Sequence, residues 1–170
     1  LPDTPIVSSY GEGALSDVVP SLAASMGVPG WSDVLGLPES PRWVLLLVDG
    51  LGDLNLAASA AEAPFLTSLR DAGGVLTAGV PSTTATSITS LGTGLTPGQH
   101  GMVGYSFRNP VDGGLLNALA WQEGLSAYDV QPRLTAFERL ARSGVELTTV
   151  SPARFAGSGL TEAALRGARF

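Results

Sequence analysis

The run Arg42-Trp43-Val44-Leu45-Leu46-Leu47-Val48 constrains this chain more than any other stretch. It is continuously apolar after Arg42, opens at Pro41 and stops abruptly at Asp49-Gly50. A run this short, with such an ending, reads as a strand buried on both faces rather than as a helix. Strands of that kind belong to parallel sheets with helices packed on either side. The rest of the chain follows the same alternation. Ala57–Ala72 carries Ala, Leu and Phe at helical spacing and ends at Gly73-Gly74. Val75–Val80 reads as a second strand, broken by Pro81-Ser82-Thr83, and Thr84–Leu91 as a polar helix ended by Gly92-Thr93-Gly94 and Pro97-Gly98. Met102–Phe107 and Leu115–Trp121 are short strands around the turn at 109–114. Pro132–Ser143 is an amphipathic helix with Leu134, Phe137, Leu140 and Ala141 on one face. Val145–Val150 is a further strand and Thr161–Arg166 a short helix. The pattern predicts an α/β fold with a mainly parallel sheet and helices on both faces. Residues 1–41, rich in Pro, Gly and Ser with a weakly helical patch at Leu15–Met26, form a lead-in that packs on a domain of 42–170. Trp43, Trp121 and Phe137 are expected in the core, and the Arg side chains, including the close pair Arg166 and Arg169, in surface pairing.

Composition narrows the function. A chain of 170 residues with 44% hydrophobic and 14% charged residues is globular and holds about one domain. The net charge of −6 argues against a nucleic-acid platform or a grip on an anionic membrane. All nine basic residues are Arg, which removes a Lys-dependent P-loop, a Schiff-base lysine and a protein-kinase site. With no Cys, thiolate nucleophiles, disulfides and zinc fingers are excluded. The chain opens on Leu1 rather than Met, and Leu1-Pro2-Asp3-Thr4-Pro5 has no basic targeting region, so an upstream segment is expected to have been removed or to lie outside this sequence. No apolar run is long enough to span a bilayer, and the expectation is a soluble protein, cytoplasmic rather than secreted.

In a parallel sheet, ligands bind beyond the carboxyl ends of the strands. Two segments with useful chemistry stand there. Asp49 ends the apolar strand and would carry its carboxylate just outside the sheet, where a hard or borderline cation can be held; it reads equally as a cap of the following turn. Pro81-Ser82-Thr83-Thr84-Ala85-Thr86-Ser87 is dense in hydroxyls and places Thr84 at a helix start, where free N–H groups and the helix dipole favour an anion. A hydroxyl there, beside a metal, can attack phosphorus; the alternative is a Ser/Thr-rich N-cap. His100, the one histidine, reads as a hydrogen-bonded turn residue. Gly50-Leu51-Gly52-Asp53-Leu54-Asn55 lacks the third glycine of a dinucleotide fingerprint.

Together these segments resemble the alkaline phosphatase superfamily, in its type I phosphodiesterase/nucleotide pyrophosphatase branch. The matching residues are Val48-Asp49-Gly50, then Pro81-Ser82-Thr83-Thr84, then Thr93-Gly94-Leu95-Thr96-Pro97-Gly98-Gln99-His100-Gly101, over roughly 42–107. The resemblance implies an alkaline-phosphatase-like core and two zinc ions. Asp49 would be a ligand of one zinc. Thr84, preferred to Thr83 by its offsets from Pro81 and to Thr93-Gly94, would be both ligand and nucleophile, passing through a phosphothreonine intermediate. The N–H of Ala85 would face the phosphoryl oxygens. Where the family commonly reads Thr-Phe-Pro-Asn, this chain has Thr84-Ala85-Thr86-Ser87: the base-stacking ring is missing and Ser87 is left to donate to phosphate. The family's remaining Asp and His ligands lie further downstream, in a domain roughly twice this length. The chain therefore looks like an N-terminal half, with the C-terminal half of the domain as its missing partner and a small phosphorylated substrate. The rival expectation is a noncatalytic α/β phosphate-binding module.

Overall fold

A computed structural model describes residues 7–170; the first six residues of the expected lead-in lie outside the described range. The lead-in folds from a loop at Ser8–Ala14 into a 3₁₀ turn, Leu15–Asp17, and helix α1, Val18–Ser25. Helices α2, Asp53–Ala58, and α3, Pro64–Ala72, follow. One helix is expected over 57–72; the structure has two, because Pro64 has no N–H for a continuing helix and is suited to a first turn. Helix α4, Thr84–Thr93, and the single turn α5, Pro97–His100, occupy the middle of the chain. Strands β1, Ser106–Arg108, and β2, Leu115–Asn117, pair antiparallel with Phe107 opposite Leu116. The chain ends in α6, Ala127–Val130, α7, Ala136–Arg142, and α8, Gly159–Leu165.

Among the described residues the expected parallel sheet is not formed. Residues 43–48 run without a ladder, and the other two expected parallel strands each make one isolated bridge, Ala14 to Thr77 and Thr148 to Arg169. The β1–β2 hairpin is the one sheet among the described residues. A strand buried on both faces needs neighbours for its N–H and C=O groups and cover for its side chains. The described residues give 43–48 neither: Val44 is 93% exposed and Leu46 77%. Trp43, expected in the core, is likewise partly exposed, with its indole N–H donating to Ser25 Oγ at 2.8 Å.

The core lies around α4 instead. Leu91 joins Val18, Val19 and Ala23 of α1 and Ala136 and Leu140 of α7, with Phe137 packed against them. Ala85 joins Met102, Leu116, Ala118 and Val130, with Trp121 alongside. Helix α8 crosses α4 at Gly92, where a Cβ would stand 2.0 Å from the Ala164 carbonyl oxygen, so that only glycine lets the backbones approach. Arg166, expected at the surface, is 6% exposed and ties α8 to its surroundings. Its Nε donates to Glu138 Oε2 at 3.0 Å, its other N–H groups to the carbonyls of Gln131, Arg133, Glu162 and Ala163, and it stacks on Tyr128. No helix among the described residues is long and apolar enough to cross a membrane.

Candidate active site

The site is built where two chain segments end beside each other. Segment 75–80 leads through a cis Val80–Pro81 peptide into Ser82 and Thr83. Thr83 has extended backbone and caps α4, its side-chain oxygen accepting from the Thr86 N–H. That leaves Thr84 as the first helical residue, with its hydroxyl exposed. The helix begins here because hydroxyls cap it and small residues follow; it ends at Gly94, whose φ of 68° closes the last turn. The other segment, 43–48, ends at Asp49, and Gly50 turns the chain away with φ 74°.

These two ends meet. Thr84 Oγ1 lies 3.2 Å from Asp49 Oδ1 and 3.2 Å from Oδ2, across 35 residues of sequence. The hydroxyl thus donates to a carboxylate that accepts with both oxygens, and both residues are exposed. Ala85 has its side chain buried among Met102 and Leu116, while its N–H belongs to the first turn, which has no intrahelical acceptor for it. Ser87, one turn along, is half-buried and gives its own N–H to the Thr83 carbonyl at 2.9 Å. The structure therefore brings Asp49 and Thr84 together and sets Thr83 apart as the cap. Among the described residues, no three His, Cys, Asp or Glu side chains gather where they could hold a metal ion.

His100 stands behind the site, not in it. Its Nδ1 accepts from the Met102 N–H at 3.1 Å, and its Nε2 lies 3.0 Å from Ser90 Oγ on α4. A neutral ring accepting at Nδ1 carries its proton on Nε2 and donates to Ser90. Burial pushes its pKa down to about 4. It is the hydrogen-bonded turn residue the sequence suggests, and it links the loop after α5 to α4.

Sequence reasoning misses the support of the site from the lead-in. The Asp17 carboxylate accepts from the N–H groups of Gly11, Gly13 and Ala14 at 2.8–3.2 Å, and the loop it closes pairs with Thr77. The signal was present as glycines at 11 and 13 followed by an Asp, a pattern suited to a backbone loop around a carboxylate.

The family model of type I phosphodiesterase / nucleotide pyrophosphatase matches residues 43–122. That span contains Asp49, Thr84 and the Thr93–Gly101 motif, so the resemblance drawn from the residues holds over this N-terminal region. No curated protein and no solved structure matches the chain. The match suggests a hydrolase of phosphate esters.

Proposed function

We propose that this chain carries the nucleophile half of a metal-dependent hydrolase of phosphodiester or pyrophosphate bonds. The observation that supports it most is the pairing of the Thr84 hydroxyl with both Asp49 oxygens at the exposed start of α4, inside the span matched by the phosphodiesterase family. A hydroxyl held by a carboxylate at a helix N-terminus has a base-side partner, an anion-favouring field and open access to substrate.

Thr84 Oγ1, its proton lost to solvent, attacks phosphorus, and the bond from phosphorus to the leaving oxygen breaks, that oxygen taking up a proton from water. The phosphoryl group, still carrying the substrate's second substituent, then rests on Thr84 until water attacks phosphorus, releases it as the phosphate monoester and returns the hydroxyl. The Ala85 N–H lies at the oxygens where charge develops, and Ser87 supplies a further donor. Small side chains at Ala85 and Ser87 leave no ring to stack on a nucleobase, which favours substrates recognised by their phosphate.

Two zinc ions are part of this proposal, and the residues present fit them in part. Asp49 and Thr84, which lie within hydrogen-bond distance of each other, would supply two oxygen ligands to one ion, and the other ligands would come from the C-terminal half of the domain. When bound, zinc lowers the pKa of a coordinated hydroxyl and balances phosphoryl charge. The same C-terminal half would cover segments 43–48 and 75–80, where Val44 and Val80 are exposed.

The test is hydrolysis of an aryl phosphodiester by the complete protein in zinc, with Thr84→Ala and Asp49→Ala beside it. Thr84→Ala is expected to lose at least about three orders of magnitude in kcat, as for loss of a covalent nucleophile. Full activity in Thr84→Ala would remove Thr84 from the role. Anion binding without zinc dependence, and no turnover, would favour a noncatalytic phosphate-binding module instead. Comparing aryl monoester and diester rates separates a phosphodiesterase from a phosphomonoesterase or phosphonate hydrolase.

A further inference from the structure

We infer that the lead-in loop is a brace for the nucleophile helix and that Asp17 is its key, a positioning residue for Thr84. This inference rests on the role proposed for Thr84.

Residues 8–20 touch the chain on both sides of α4. On the entry side, the Ser8 hydroxyl donates to the Ala78 carbonyl at 2.6 Å, and the Ser9 N–H donates to Thr77 Oγ1 at 2.8 Å. Thr77 N–H donates to the Gly13 carbonyl at 2.9 Å, and the Leu15 N–H donates to the Thr77 carbonyl at 3.0 Å. Seven residues later the same segment presents Thr84. On the exit side, Gly94 lies against the lead-in: a Cβ there would stand 2.9 Å from Pro20 Cγ and 3.6 Å from the Ser16 carbonyl oxygen.

Between these two contacts the loop must turn sharply, and Asp17 makes it do so. Gly11 and Gly13 have φ of 80° and 142°, conformations that L side chains rarely adopt. Their N–H groups and that of Ala14 point at one buried carboxylate. Three charge-assisted hydrogen bonds to one side chain hold a loop that has little side-chain packing of its own. Tyr10 rides on that loop and places its Oη beside Gly79, a buried glycine whose Cβ would also stand 3.1 Å from Thr86 Cγ2 and from Pro97 Cγ. Gly79 is thus fitted between the loop, α4 and α5. Lead-in, segment 75–80 and helix α4 form one packed unit, in which moving the loop moves the start of α4 against Asp49. A sub-ångström to one-ångström displacement of a reacting group costs up to about a hundredfold in rate.

The experiment compares Asp17→Ala, Asp17→Asn and Thr77→Val with the unaltered complete protein, all assayed on an aryl phosphodiester in zinc, at a temperature below each measured Tm. Asp17→Ala is expected to lower kcat about tenfold or more with KM changed less than about twofold, because positioning and not binding is impaired. Asp17→Asn retains an oxygen that can accept from Gly13 and Ala14, and should recover most of the loss. Thr77→Val, which deletes one acceptor and keeps the shape, should lose about threefold. If Asp17→Ala does not fold, the Thr77→Val and Asp17→Asn values decide. A folded Asp17→Ala with unaltered kcat, or a Thr77→Val with unaltered kcat where Asp17→Ala is unfolded, overturns the brace. Failure of the Thr84 role shows separately, as full activity in Thr84→Ala. In that case the brace is judged by amide exchange at Ala85–Ser87, which should speed up in Asp17→Ala and would stay unchanged if the loop braced nothing.

Discussion

Burial holds the His100 imidazole at about 4, against 6.5 for the ordinary side chain. The ring is neutral in its place because Nδ1 must accept from Met102 N–H, which a protonated ring cannot do. The folded-state pKa lies below the unfolded one, so His100 contributes full stability above pH 6.5 and loses it as pH falls towards 4. The span corresponds to about 3 kcal/mol. Urea titrations should show stability falling between pH 6.5 and 4, and the fall should be absent in His100→Gln; an equal fall in both would place the acid-sensitive group elsewhere. Arg166 is the second residue whose surroundings make its role. Its removal leaves Glu138 without its cationic partner and the Gln131 and Arg133 carbonyls without the Arg166 donor, and Arg166→Ala should destabilise the chain by about 3–5 kcal/mol in chemical denaturation. From the sequence Arg166 looks like any dispersed Arg. Nothing in a run of charged residues shows that carbonyls from 131, 133, 162 and 163 will converge on one side chain.

At the scale of elements, α4 is where fold and chemistry coincide. Its start carries Thr84; Ala85 near its start and Leu91 near its end each join an apolar cluster, and its far end meets α8 at Gly92. A methyl group at 92 overlaps the Ala164 carbonyl, so Gly92→Ala should cost at least about 1–3 kcal/mol and lower Tm, despite the better helix propensity of Ala. Unchanged Tm would mean that α8 shifts freely and does not anchor α4. The helix itself is legible in the sequence, because Thr83 as cap and Gly94 as terminator are local signals. The β1–β2 hairpin is legible for the same reason, with turn residues between two apolar runs. Strands 43–48, 75–80 and 145–150 are not realised as a sheet, since apolar runs announce a strand while its ladder depends on partners distant in sequence. The pairing of Asp49 with Thr84 is expected only through the joint motif; neither segment alone distinguishes a site from a cap. The loop around Asp17 has a local signal in Gly11 and Gly13, but its hold on Thr77, 64 residues away, has none.

Over the whole molecule, apolar surface is distributed unevenly. Val44, Leu46 and Val80 are exposed along the segments that lead to Asp49 and to Thr84, while the interior of α4 is closely packed. Under the proposed function, the C-terminal half of the domain would cover those segments and bring the remaining metal ligands to the exposed carboxylate and hydroxyl. The 43–48 amides should therefore exchange rapidly in this chain alone and be protected when the C-terminal half is present; equal exchange in both would deny that cover. Covalent chemistry at Thr84 is tested by quenching the complete protein during turnover of an aryl phosphodiester and mapping modified peptides by mass spectrometry. The expected result is an adduct on Thr84 of the phosphoryl group with the substrate's second ester still attached, lost on further incubation. Turnover with Thr84 unmodified and the adduct on another residue would contradict it.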